Sequence, residues 1–227
     1  MERIFVTGKS GFIGHHLVSA LQKNKYSVSG DSNKCKTWVL MAGLMGSVDL
    51  QDNIDNNFLL NFNLINNAKK LPEKIIYISS IDVYSPNTYY AAAKLASENF
   101  LKIFCKENRI KLIILRPSQI YGPGDKGRKI IPKFINKMRR NEEIQLIDNG
   151  VAKRSYLYVT DLTEVIVSLF KKDIQGTYDI IGNRLITIKE VVEVLEKEMN
   201  KKARIELGFR PKIKFEKGIK LTLQKNE

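Results

Sequence analysis

The chain has 227 residues and 43% apolar content, which suits one folded domain with a small lobe and excludes a disordered tail. Its net charge of +14 and pI near 9.6 favour anionic partners. Because the basic residues follow no zinc-finger or RNP pattern, we expect phosphorylated small molecules and no nucleic acid.

The two cysteines, Cys35 and Cys105, follow no metal or C-x-x-C spacing. We therefore expect reduced thiols, a cytoplasmic location and no metal site. The first residues show no signal-peptide pattern, and no apolar segment is long enough for a bilayer, so we expect no membrane contact.

Short apolar runs alternate with amphipathic stretches along the chain. The predicted strands are Arg3–Val6, Tyr26–Ser29, Trp38–Met41, Ile75–Ile78, Lys111–Leu115, Ile144–Leu146, Tyr156–Val159 and Thr177–Ile181. The predicted helices cover about 12–23, 54–70, 89–107, 129–140, 161–171 and 187–200. This alternation predicts an α/β fold with a parallel sheet covered on both faces, and a smaller, irregular lobe after Pro117.

The first strand-to-helix turn carries "IFVTGKSGFIGHHLV", in which Gly8, Gly11 and Gly14 are spaced G-x-x-G-x-x-G. A dinucleotide pyrophosphate must approach backbone N–H groups closely at a helix N-terminus, and glycine leaves room for it. The motif therefore predicts cofactor binding, with a plain tight turn as the alternative.

After the second strand, "SVSGDSNKCK" places Asp31 17 residues beyond Gly14, with Lys34 and Lys36 close behind. An acidic residue here would bind an adenosine ribose, whereas a basic cluster would bind a 2′-phosphate. Both interpretations remain open, together with a solvated turn.

The stretch "SSIDVYSPNTYYAAAK" covers residues 79–94. The strand before it delivers Ser79 and Ser80 to the carboxyl end of the sheet, where ligands bind in open α/β folds. Tyr90 and Lys94 lie four apart and share a helix face. A nearby ammonium favours a tyrosine phenolate, and a serine hydroxyl can hold a substrate oxygen, so we predict a site for carbinol and ketone chemistry.

These motifs together resemble the extended short-chain dehydrogenase/reductase family, in its nucleotide-sugar epimerase/dehydratase branch. The resemblance rests on "VTGKSGFIG", "YISSIDVYS", "YAAAKLASE", "LRPSQIYGPGD", "RSYLYVTDL", "ELGFRPKIKFEKGIKLT" and Asn57 at the head of a helix. It implies a Rossmann-like doubly wound parallel sheet with a small C-terminal substrate lobe. The dinucleotide-binding domain would be 1–117 with segments about 155–182, and the lobe 118–154 with 183–227.

The resemblance also implies a role for each matching residue. Tyr90 would be the acid/base, Lys94 would hold the nicotinamide ribose and lower the tyrosine pKa, and Ser80 would bind the reacting oxygen. The cofactor would be NAD or NADP, bound by Gly8, Ser10, Gly11, Phe12, Ile13, Gly14, Asp31, Ser32, Lys34, Met41, Ala42, Gly43, Asn57, Ser79, Tyr90, Lys94 and Pro117. A nucleotide-diphosphate sugar would be bound by Ser80, Asp82, Gln119 and Arg154, although Arg154 could also be a surface charge. Tyr84 is expected to be a packing residue.

The chain is shorter than the family pattern at three places. Between Asp31 and the strand at Trp38 the family has a further helix and the edge strand of the order 3-2-1-4-5-6, so part of the adenine pocket would be lost. "YSPNT" replaces a longer loop before Tyr90, and part of the lobe is missing near 200–204.

The site residues are expected to support a sugar epimerase or a 4-keto-sugar reductase. A 4,6-dehydratase ranks third, because Ile81 and Asp82 stand where the family's dehydratases have an Asp-Glu pair. A truncated relative that binds cofactor or a partner without turnover is the alternative. Relatives commonly dimerise through the helix that is here about 89–107, so we expect a homodimer.

Overall fold

The computed structural model describes residues 1–45, 47–126 and 129–207. Its strands are β1 (Arg3–Val6), β2 (Ser27–Ser29), β3 (Thr37–Leu40), β4 (Lys74–Ile78), β5 (Lys111–Pro117), β6 (Gln119–Tyr121), β7 (Glu143–Leu146), β8 (Lys153–Tyr158), β9 (Gly176–Ile180), β10 (Leu185–Thr187) and β11 (Arg204–Leu207). Its helices are α1 (Phe12–Lys23), α2 (Leu50–Ile54), α3 (Leu60–Asn66), α4 (Tyr89–Glu107), α5 (Ile130–Arg139), α6 (Val159–Ser168) and α7 (Ile188–Met199).

The central sheet has six parallel strands in the order β2-β1-β3-β4-β5-β9. Every residue of β3 and β4 is buried, as expected for strands covered on both faces. One face packs on α1 and α6 through Leu17, Leu21 and Leu162, and the other includes Leu101 of α4. The predicted Rossmann-like parallel sheet is therefore confirmed.

The outer strand β2 is followed by a single short turn, Ser32–Lys34, and the chain then enters β3 on the other side of β1. The Asp31 carboxylate accepts the Asn33 N–H at 3.0 Å, and Trp38 Nε1 donates to Ser32 O at 3.1 Å. This turn occupies the place of the helix and edge strand that the sequence analysis expected to be missing.

The predicted helix at 54–70 differs from the observed one. The helical segment begins at Leu50, because the Asp49 carboxylate accepts the Asp52 N–H at 2.8 Å, and it ends at Asn66. A single π-helical turn, Asp55–Leu59, interrupts it. The strands β6, β10 and β11 were not predicted, since three or four residues carry too little periodicity.

The chain divides into two compact units, the first being Met1–Arg128 with Ser155–Leu185 and the second Lys129–Arg154 with the chain from Ile186. In the second unit, α5 contacts α7, and β7 pairs in parallel with β11. The predicted domain boundaries stay a prediction. Residues 208–227 of the predicted lobe, with most of "ELGFRPKIKFEKGIKLT", lie outside the described residues.

The beginning of β4 is anchored by a buried lysine. Lys74 Nζ donates to the carbonyls of Leu169, Phe170 and Lys172 at 3.0, 3.0 and 2.8 Å. These carbonyls follow the last turn of α6 and would otherwise lack an intrahelical partner. Burial lowers the pKa of Lys74, which also lines a cavity of about 770 Å³ at the amino edge of the sheet.

Substitution of Gly14 tests the packing of the turn before α1. A Cβ on Gly14 would overlap Gly8 O and lie 2.7 Å from Lys9 Cα, whereas a Cβ on Gly30 would meet nothing within 4 Å. We expect Gly14→Ala to lower the free energy of unfolding by about 1–3 kcal/mol, and Gly30→Ala to change it by less than about 1 kcal/mol. Urea denaturation of both variants measures this, and an equal effect of the two would contradict the packing argument.

Candidate active site

The glycine turn presents backbone donors at the start of α1. Gly8 has a φ of +71°, a conformation that favours glycine, and Gly11 N donates to Gly8 O at 3.0 Å. Gly11 occupies the N-cap position and has no side chain to accept the N–H groups of the first turn. These donors and the positive end of the helix dipole suit the pyrophosphate of a dinucleotide.

The loop after β3 lies directly against this turn. Thr7 Oγ1 accepts the N–H groups of Met41 and Ala42 at 3.0 and 3.1 Å, and a Cβ on Gly8 would lie 2.9 Å from Ala42 Cα. A Cβ on Gly43 would lie 3.2 Å from Lys94 Nζ. The predicted residues Met41, Ala42 and Gly43 therefore connect the glycine turn to Lys94.

Asn57 holds that loop in place from the π-helical turn. Its side chain is fully buried, its Oδ1 accepts the Leu44 N–H at 3.0 Å, and its Nδ2 donates to Leu44 O at 2.9 Å. Ser97 Oγ donates to Asn57 O at 2.8 Å. Asn57 thus links the loop after β3 to α4, and a Cβ on Gly43 would lie 2.7 Å from its Oδ1.

Ser80, Tyr90 and Lys94 come together at the carboxyl end of β4. Ser80 caps the short turn Ile81–Tyr84, and its hydroxyl accepts the Asp82 N–H at 3.2 Å. Lys94 is buried, and its Nζ donates to Ile78 O at 3.0 Å. The same Nζ lies 5.0 Å from the ring centroid of Tyr77 and 5.9 Å from that of Tyr90.

Burial dominates the electrostatics of this trio. Burial raises the pKa of Tyr90, the charge of Asp82 raises it further, and the nearby Ser80 hydroxyl opposes both. Burial lowers the pKa of Lys94 to about 8, although the charge of Glu98 raises it. Tyr90 is therefore a protonated phenol at neutral pH, while Lys94 is close to changing its charge.

The remaining predicted residues are placed as follows. Asp31 forms an ion pair with Lys34 at 3.2 Å, which lowers the Asp31 pKa, while Lys36 pairs with Glu73 at 2.8 Å. Ser10, Phe12 and Ile13 lie at the start of α1, and Ser32 begins the short turn after β2. Pro117 ends β5, and Gln119 begins β6. Asp82 is partly exposed, and Arg154 belongs to the second unit. Arg154 Nη1 donates to Lys153 O at 2.9 Å.

Sequence reasoning did not single out an ionic cluster beside the trio. Ser79 Oγ donates to Glu98 Oε1 at 2.6 Å, and Arg116 donates to both carboxylate oxygens of Glu98 at 2.9 and 2.6 Å. The available signal was the spacing of four from Lys94 to Glu98, which puts both on one face of α4.

Tyr84 makes its contacts near the surface. It is 64% exposed, the guanidinium of Arg116 lies 4.7 Å from its ring centroid, and its hydroxyl donates to the Asp179 carboxylate at 2.9 and 3.0 Å. The expectation that Tyr84 is a packing residue stays a prediction.

The described ranges contain neither a cluster of metal ligands nor a membrane-spanning helix. No three or more His, Cys, Asp or Glu side chains there are grouped so that they could hold a metal ion. No helix in those ranges combines the length and the apolar character that a membrane span requires.

Comparison with known proteins gives a family match over most of the chain. The model of the NAD dependent epimerase/dehydratase family matches residues 4–38 and 31–181. Among curated proteins, the bovine (Bos taurus) dTDP-D-glucose 4,6-dehydratase is 28% identical over 196 residues, covering 67% of this chain and 55% of that protein. The Escherichia coli dTDP-4-dehydro-6-deoxyglucose reductase is 29% identical over 232 residues, covering 81% and 72%. The chain therefore spans little more than half the length of the bovine relative.

Solved structures share the fold. The UDP-glucuronic acid 4-epimerase from Bacillus cereus, in complex with NAD, superposes with a TM-score of 0.82 at 24% identity, covering 91% of this chain and 86% of that one. At this identity the likeness shows the fold alone. Structures of this fold hold NAD or NADPH.

The lowered pKa of Lys94 predicts a pH-dependent contribution to stability. Between about pH 8 and 10.5 the folded state releases this proton while the unfolded state keeps it, so stability rises with pH in that window. Relative to Lys94→Met, the wild type should gain about 3 kcal/mol in the free energy of unfolding across the window. Urea denaturation at several pH values measures this gain.

Lys23→Met on the exposed side of α1 is the control, because it removes an exposed ammonium. The prediction is wrong if the wild type and Lys94→Met differ in the free energy of unfolding by the same amount at about pH 8 and at about pH 10.5.

Proposed function

The chain belongs to the NAD dependent epimerase/dehydratase family, and on that premise we propose that it is an NAD(P)-dependent oxidoreductase or isomerase of nucleotide-activated sugars. It acts as a sugar epimerase or a 4-keto-sugar reductase. The observation that carries this proposal is the gathering of Ser80, Tyr90 and Lys94 at the carboxyl end of β4, where Lys94 Nζ lies 5.9 Å from the Tyr90 ring centroid and next to the loop that meets the glycine turn.

The residues of the turn and loop fit a dinucleotide. Gly8, Gly11 and Gly14 leave the first turn of α1 accessible to a pyrophosphate, and Gly43 leaves the space above Asn57 and Lys94 free of a side chain. When bound, the nicotinamide would accept a hydride from the sugar carbon or return one to it. Asp31 would lie towards the adenosine ribose, and its ion pair with Lys34 leaves NAD and NADP both possible.

The protein's own groups move the proton. Tyr90 exchanges a proton with the sugar oxygen, and the Ser80 hydroxyl holds that oxygen while the bond to hydrogen changes. The Lys94 ammonium stabilises the Tyr90 phenolate by its charge. Since the pKa of Tyr90 is raised, the phenol suits the reductive direction, in which Tyr90 donates its proton.

The substrate is bound by groups beyond this trio. In our proposal Asp82 and Gln119 contact the sugar diphosphate. The role that the family resemblance implies for Arg154 stays a prediction. Dehydration remains third, because Ile81 cannot act as an acid or base and Asp82 alone supplies a carboxylate. The non-catalytic alternative is favoured by one observation, the replacement of the outer strand and helix by the turn at Ser32–Lys34.

We also propose that two copies associate through α3 and α4. The outer side of these helices carries an aromatic cluster in which Phe100 lies 6.1 Å from Phe58, 5.6 Å from Phe62 and 6.1 Å from Phe104. Phe62 is 38% exposed and Ile103 is 62% exposed. A second copy would cover this apolar surface. The expected location of the protein remains the cytoplasm.

Titration and turnover test the enzymatic proposal together. Calorimetry with NAD⁺, NADH, NADP⁺ and NADPH should show micromolar binding of one oxidised/reduced pair. A panel of nucleotide-activated sugars should then show turnover, which Tyr90→Phe should lower by about 10²- to 10⁴-fold because the proton donor is lost.

Tyr89→Phe is the matched control, since the Tyr89 ring is 51% exposed at the neighbouring position and should leave the rate unchanged. Full activity of Tyr90→Phe would contradict the assignment. Absence of binding by all four cofactors would favour the non-catalytic relative.

The dimer is tested by light scattering after gel filtration. The wild type should have twice the chain mass of 26.0 kDa, and Phe62→Glu or Ile103→Glu should give the mass of one chain, because a buried carboxylate opposes association. Ile147→Glu, at a position that is 89% exposed in the second unit, is the control. A wild type that is already monomeric would contradict the proposal.

A further inference from the structure

We propose that Glu98 is a positioning residue of the Ser80–Tyr90–Lys94 site, which holds the end of β4 against α4 and supplies the counter-charge of the Lys94 ammonium. This inference rests on the proposed function for its role in catalysis. Its electrostatic part concerns two residues of the folded chain and requires neither substrate nor cofactor.

Two successive turns of α4 bind two consecutive residues at the end of β4. Tyr90, Lys94 and Glu98 follow one another at intervals of four, so they share a face of the helix. Lys94 Nζ donates to Ile78 O and Glu98 Oε1 accepts the hydroxyl of Ser79, while the Tyr90 ring centroid lies 5.9 Å from Lys94 Nζ.

The Glu98 carboxylate is held in place by contacts within the chain itself. Its carboxylate is fully buried, and each of its oxygens accepts a hydrogen bond from the guanidinium of Arg116. Lys102, which is 45% exposed, approaches the same carboxylate at 3.5 Å. Burial raises the pKa of Glu98, but the hydrogen bonds from Arg116 and Ser79 lower it by more than burial raises it. Glu98 is therefore ionised.

Arg116 is itself fixed from the outer side. The Tyr84 ring lies against its guanidinium, and the Tyr84 hydroxyl is bound to Asp179 of β9. Ser79, Arg116 and Lys102 therefore converge on one buried carboxylate, and Tyr84 and Asp179 hold Arg116 from its other side. A bidentate Arg–carboxylate pair restricts both partners in orientation as well as in distance.

The charge of Glu98 acts on Lys94 one helical turn away. The Lys94 ammonium faces Ile78 O and the Tyr77 and Tyr90 rings, which carry no charge at neutral pH. Glu98 is the charge that raises the pKa of Lys94 against the effect of burial. Without it, Lys94 would lose its proton at a lower pH, and the Tyr90 phenolate would lose its cation.

A double-mutant cycle between Glu98→Gln and Lys94→Met isolates this interaction. Urea denaturation of the wild type, the two single variants and the double variant gives the coupling between the two substitutions. Near pH 6.5 this coupling should be about tenfold in the folding equilibrium constant. Near pH 10, where Lys94 is neutral in the folded state, it should vanish. A coupling of equal size at both pH values would mean a structural role only and would overturn the proposal.

Two further variants keep the test decisive. Glu98→Gln leaves Arg116 unpaired and for that reason can fail to fold. In that case the combined variant Glu98→Gln with Arg116→Gln, which removes both charges, takes the place of Glu98→Gln in the cycle. Lys102→Gln is the matched control, because it changes a charge beside Glu98 and keeps the hydrogen bonds of Glu98 with Ser79 and Arg116. It should show no pH-dependent coupling to Lys94→Met.

Turnover adds a second readout once a substrate is found. Glu98→Gln should lower kcat with little change in KM and should move the alkaline limb of the pH–rate profile towards lower pH, and Glu98→Asp should restore part of the shift. An unmoved alkaline limb would overturn the inference. If no nucleotide sugar is turned over but the coupling vanishes near pH 10, the proposed function fails while the electrostatic effect of Glu98 on Lys94 stands.

Discussion

The buried ammonium of Lys94 is the constraint around which the first unit is arranged. A cation removed from water needs acceptors and aromatic faces at short range, and here they come from Ile78 O and from the Tyr77 and Tyr90 rings. These groups meet only if β4 ends at the level of the second turn of α4. The glycine turn and the loop held by Asn57 are then packed against the same point.

The sequence predicts those parts of the fold that local patterns specify. The bounds of α4, Tyr89–Glu107, follow from its periodicity and from Thr88, whose side chain accepts the Ala91 N–H. The spacing of Tyr90 and Lys94 placed both on one helix face for the same reason. The turn at Gly8 could be predicted because few other residues allow its backbone conformation.

Contacts between distant segments could not be predicted in this way. Arg116 and Glu98 are 18 positions apart, and nothing in one sequence says that the end of β5 reaches that turn of α4. The π-helical turn is similar, since it depends on the hydrogen bonds of Asn57 with Leu44, 13 residues earlier. The short strands β6 and β11 exist because a partner strand is near, and their own residues indicate little.

The shortening after β2 also determines what the sheet presents to other molecules. An outer strand carries unpaired N–H and C=O groups that can recruit a strand from another chain, and a long, flat one promotes aggregation. Here β2 has three residues, preceded by Lys25 with a φ of 62° and followed by the turn that Asp31 caps. So few consecutive backbone groups are available at this edge that a strand from another chain has almost no template for pairing.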